Sequence, residues 1–109
     1  MRCAPFVALI GLGCVTTSVA YLSPTKYEPR SRGTAIALYS SKLPTCAFTE
    51  IAIVKARLET SIESNDAAVD ALRRTARELG GDALVRLAFG DHSEVTGTVI
   101  RFERDNCKQ

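Results

Sequence analysis

The single histidine, His92, stands in the stretch GDHSE, beside Asp91, Ser93 and Glu94. A histidine next to a serine and carboxylates is raw material for acid–base or nucleophilic chemistry. Such chemistry also needs a nucleophile on a strained turn and donors for a developing oxyanion, and no such segment accompanies these residues. As metal ligands, Asp91, His92 and Glu94 fall short of the four tetrahedral donors of a structural zinc site. GDHSE is therefore expected as an exposed hairpin turn, and the chain is expected to hold no catalytic residue, metal site or cofactor. Gly80, Gly81 and Asp82 suggest a phosphate loop, but they follow a helical pattern instead of preceding one, so they are expected as a helix stop. Arg73, Arg74 and Arg77 lie on that helix and are expected as a solvated face. Contact with an acidic partner or anionic lipid is the alternative reading of the three arginines.

The thiols are the other reactive groups. Cys3 and Cys14 lie in an opening segment in which Arg2 precedes the uncharged run APFVALIGLGCV. That run has the length of a signal-peptide core and is shorter than the about 20 residues a transmembrane helix needs. Two cleavage sites compete. Small Ser18 and Ala20 suit cleavage after Ala20. Gly13 followed by Cys14 resembles the lipobox of bacterial lipoproteins, with Gly11 where leucine is usual. The segment 1–20 is thus expected as a signal peptide ending at 13, with lipid on Cys14, or at 20; the lipid-bearing boundary leads. Export makes a disulfide the default for the two remaining cysteines, Cys46 and Cys107, since no C-x-x-C is present. If the chain ends bearing them are neighbours in the sheet, the bond stabilises the domain by about 3–5 kcal/mol on the chain-entropy model.

These groups must be positioned by a small fold. With 109 residues there is room for one domain, and 46% apolar with 24% charged residues is ordinary globular composition. A net charge of +2 makes no case for nucleic acid. Residues 21–33, with two prolines and no periodicity, are expected as a tether, 34–104 as the domain and 105–109 as a tail. TAIALYS is expected as a strand with Ile36 and Leu38 on one side and Ala35, Ala37 and Tyr39 on the other. EIAIVKARL is expected as a second strand, with Ile51 and Ile53 opposite Ala52, Val54, Ala56 and Leu58. SNDAAVDALRRTARELGG carries Val69, Leu72, Ala76 and Leu79 at helical spacing, with Ser64 or Asn65 to cap it, Asp70 and Arg74 as an i,i+4 pair, and Gly80 to end it. DALVRLAF and VTGTVIRFE read as two closing strands, the first alternating Ala83, Val85, Leu87 and Phe89 against Leu84, Arg86 and Ala88. The expected architecture is α+β: a two-layer sandwich of order strand-strand-helix-strand-strand, one helix on a small sheet.

The succession CAFTEIAIVKA, AAVDALRRTARELGGDALVRLAF and VTGTVIRF resembles a pattern found in small bacterial envelope proteins. Glu50, Ile51, Ala76, Leu79, Gly80, Gly81, Asp82, Ala83 and Gly97 carry the resemblance, which spans about residues 46–103. It is similar to the superfamily that contains the outer-membrane lipoprotein sensor of the Rcs envelope-stress phosphorelay (RcsF) and the YbjQ-type domains often labelled heavy-metal-binding. The resemblance implies a non-enzymatic interaction or stress-sensing domain on the periplasmic face of the envelope, tied to the outer membrane through Cys14 and meeting an envelope protein partner. The YbjQ-type branch implies the alternative, a ligand- or metal-binding module that forms a homo-oligomer through its sheet. The sensor pattern has two disulfides and a long tether; this chain has cysteines for one and only about 20 residues between Cys14 and the first expected strand.

Overall fold

Ala68, Ala71, Leu72 and Ala76 are all buried, and three of the four are alanines, so the helix that carries them lies close upon the sheet. The computed structural model describes residues 15–58, 65–90 and 94–103. In chain order these form β1 (Val15–Tyr21), β2 (Ala37–Tyr39), β3 (Phe48–Leu58), α1 (Asn65–Glu78), β4 (Ala83–Phe89) and β5 (Glu94–Phe102). The strands make one sheet of order β1-β3-β5-β4-β2, antiparallel except for the β2–β4 edge. One helix covers one face of five strands. Among the described residues no helix is long and apolar enough to cross a membrane.

The expected two-layer α+β arrangement is present, but its strand order is corrected. A strand precedes those expected: β1 pairs along β3 from Val15 opposite Leu58 to Tyr21 opposite Ala52. Its β-branched Val15, Thr16, Thr17 and Val19 are a strand signal that the adjoining apolar leader masks. The strand expected in TAIALYS is shorter than its pattern, spanning Ala37 to Tyr39.

Two bulges overturn the expected alternation. In β3 the register shifts between Glu50 and Ala52, which turns both Ile51 and Ala52 into the core and leaves Ile53 44% exposed. In β4 it shifts between Val85 and Ala88, where Arg86 adopts a φ of 55°. Leu87 is thereby returned to the face of Leu84. Both leucines close over Gly97 of β5, where a Cβ would lie 3.0 Å from Leu87 Cδ2 and 3.5 Å from Leu84 Cδ2.

The core under α1 joins Ile36, Ile51, Val54, Leu58, Leu84, Val95 and Val99 to the helix. On the opposite sheet face Ala83, Val85, Ile100 and Phe102 form a second, smaller cluster, against which Ala37, Tyr39, Cys46 and Phe48 pack. Part of the sheet face away from α1 therefore packs within the chain.

Candidate functional site

The helix end organises the most heavily bonded region of the molecule. Gly80 has a φ of 81°, the left-handed conformation that glycine adopts without a Cβ penalty, as expected from its place after the helical pattern. Its N–H donates to Arg77 O (3.0 Å) and the Gly81 N–H to Ala76 O (2.8 Å), the paired bonds of a Schellman cap. Residues 22–36 run across this cap as a strap from one sheet edge to the other. The Leu22 and Ser23 N–H groups donate to Ile51 O (2.8 and 3.2 Å), and the Arg30 N–H donates to Arg77 O (2.7 Å). The strap presses so closely on the cap that a Cβ at Gly80 would meet Glu28 O at 2.6 Å and Tyr27 Cβ at 2.7 Å. Arg101 lies over the Tyr27 ring (4.7 Å to its centroid) and donates to Gly80 O (2.8 Å).

Residues 21–33, expected as a tether, are thus largely part of the domain. Short-range sequence signals miss this because the partners lie about 50 positions away: Arg30 Nη2 donates to Asp82 Oδ1 at 2.9 Å, a sequence separation of 52. The Asp82 side chain is 3% exposed and that of Arg30 23%. Asp82 Oδ2 accepts from the Phe102 N–H (2.9 Å), and the Asp82 N–H donates to Ile100 O (2.8 Å). Expected only as part of a helix stop, Asp82 ties the helix exit, β5 and the strap together. A charged residue directly before the apolar run ALV is the one sequence signal that pointed to a buried partner.

The arginines of α1 divide. Arg73 pairs with Asp70 on the exposed side (3.0 Å), at i,i+3 in place of the expected Asp70–Arg74 pair. Arg74 and Arg77 line a cleft with Arg30, Arg32 and Glu78, of about 440 Å³. Arg77 Nη1 donates to Thr34 O (3.2 Å), which fixes it against the strap.

Cys14 and Cys107 lie outside the described residues, as do Asp91, His92, Ser93 and the expected cap Ser64. Glu94 opens β5 opposite Arg57, and among the described residues no three His, Cys, Asp or Glu side chains gather at one point. Cys46 sits two positions before β3 and is not a free thiol. Phe48 at the start of β3 pairs with Phe102 at the end of β5, and the Glu103 N–H donates to Ala47 O (3.2 Å). The start of β3, just after Cys46, and the end of β5 are therefore neighbours.

One helix packed on a five-stranded, mostly antiparallel sheet defines a mixed α/β fold. A solved structure shares it: the crystal structure of the Francisella virulence factor FvfA superimposes with a TM-score of 0.56 at 12% identity, over 83% of this chain and 99% of that one. The likeness is one of fold. No family model and no curated protein matches the sequence.

Proposed function

We propose that this chain is a bacterial cell-envelope lipoprotein, anchored through lipid on Cys14, whose small α+β domain is a non-enzymatic interaction module for an envelope protein. One observation carries the reading: the residues that follow Cys14, Val15–Tyr21, form β1 and pair along β3. Cleavage before Cys14 keeps all of β1. Cleavage after Ala20 strips away all of β1 except Tyr21 and bares an edge of β3, a row of unpaired N–H and C=O groups. The adjacency of Cys46 to the end of β5 supports the accompanying Cys46–Cys107 disulfide, which suits an oxidising compartment.

The reading has a mechanical consequence. With the strap folded onto the domain, no long spacer separates Cys14 from the sheet, so the domain sits at the membrane surface. Its partner is one that reaches that surface, as in envelope-stress sensing near an outer membrane. Mass spectrometry of the mature protein from a bacterial envelope tests the proposal. The expected product starts at Cys14, carries acyl chains and loses them in Cys14→Ala; a mature N-terminus at Tyr21 overturns it. Alkylation under denaturing conditions tests the bond, with Cys46 and Cys107 expected to be modified only after reduction.

A further inference from the structure

We propose that the cleft between the strap and the C-terminal half of α1 binds the dianionic phosphate group of a soluble ligand. Its walls carry Arg30, Arg32, Arg74 and Arg77 against Glu78, around about 440 Å³, a volume in the range of small-molecule sites. Among the described residues that line the cleft or pair with its lining, the carboxylates are Glu78 and Asp82, the partner of Arg30; set against four guanidinium groups they leave two positive charges over. A phosphate monoester carries a charge of about −1.5 to −2 at neutral pH and matches that excess. Guanidinium forks also fit phosphate oxygens two at a time.

The donors are partly fixed beforehand. Asp82 holds Arg30 and the Thr34 carbonyl holds Arg77, so less side-chain freedom is lost when an anion enters. Arg30 Nε is buried and has no acceptor among the described residues. Arg32 and Arg74 make no ion pair among the described residues, so their charges face the cleft uncompensated. The carbonyl end of α1, which by itself repels anions, already receives the Arg30 and Gly81 N–H groups. Glu78 of the cleft also lines a smaller pocket that contains Tyr21, the last residue of β1. Val15 is a seven-residue strand away, about 20 Å at the rise of a β-strand, so the ligand arrives from solution and not from a bilayer at the Cys14 end. The site stands whether or not Cys14 is lipidated.

Calorimetric titration of the full chain with inorganic phosphate at low ionic strength tests it. Binding that weakens as salt is added is expected. The double variant R32Q/R74Q should weaken it by about tenfold or more with an unchanged circular dichroism spectrum, because neither side chain makes a hydrogen bond or ion pair among the described residues. R73Q, altered outside the cleft, should bind as the unchanged protein does. Should the double variant fold poorly, the guanidinium NMR signals of Arg32 and Arg74 in the unchanged protein are expected to shift on phosphate addition. Vesicles containing phosphatidic acid form a second arm, expected to be bound no better than inorganic phosphate. No heat and no shift at millimolar phosphate, equal binding by R32Q/R74Q, or binding to the vesicles alone each overturns the proposal.

Discussion

Residues 15–21 and 22–36 are consecutive in the chain and are held by opposite means. β1 is held by main-chain pairing along β3, and none of its side chains is fully buried. The strap has almost no ladder of its own and is held by particular groups: Arg30 on Asp82, Tyr27 on Gly80, Ile36 in the core. A strand secured by its backbone tolerates changes of side chain and fails when it is removed. A strap secured by particular side chains and a few isolated main-chain bonds fails at single positions.

The largest test of that contrast is removal of β1. A chain that begins at Tyr21 is expected to lose most of its stability and to self-associate through the bared β3 edge, since a domain of this size has only about 5–10 kcal/mol in total. Denaturant unfolding with light scattering reads this, and an unchanged midpoint would mean that β1 contributes nothing to the fold. Next comes Gly80→Ala, expected to cost about 3 kcal/mol. It places a Cβ at a positive φ and drives it into the strap backbone. If the strap were only loosely laid on the cap, the cost would fall to the about 1 kcal/mol of the left-handed conformation alone.

Asp82→Ala should cost about 2–3 kcal/mol, because it strands the Phe102 N–H and leaves Arg30 partly buried without its carboxylate. A double-mutant cycle with Arg30→Gln should show that the two changes do not add. An additive result would place the stability of Asp82 in its bond to β5 and not in the strap. The smallest effect is expected in β1 itself: Val19→Thr, at a side chain 36% exposed, should change stability by no more than about 0.5 kcal/mol. A larger loss would show that β1 is held by its side chains after all.

The contrast also explains what could be read from the chain beforehand. α1 and its Gly80 stop were legible, because helical periodicity and a left-handed cap are local and repeat within a few residues. The same holds for the strand character of β3, β4 and β5. The bulges at Glu50/Ala52 and Val85/Ala88 are not, since each exists only relative to the neighbouring strand, and alternation alone therefore places Ile51 and Leu87 on the wrong faces. Of the arginine cleft, Arg74 and Arg77 were visible on the helix while Arg30 and Arg32 lay in a supposed tether. Nothing in the spacing brought the two pairs together.

By itself, then, the sequence determined one helix with its stop, three strands, the leader-like opening and the absence of a recognisable catalytic motif, all properties set by short-range pattern. The tertiary structure decided that VTTSVAY is an edge strand, that residues 22–36 belong to the domain, and that Asp82 is a buried tie. The physical reason is the same in each case. An edge strand takes half its identity from the strand it pairs with, and a strap without periodicity takes nearly all of it from distant partners such as Asp82 and Gly80.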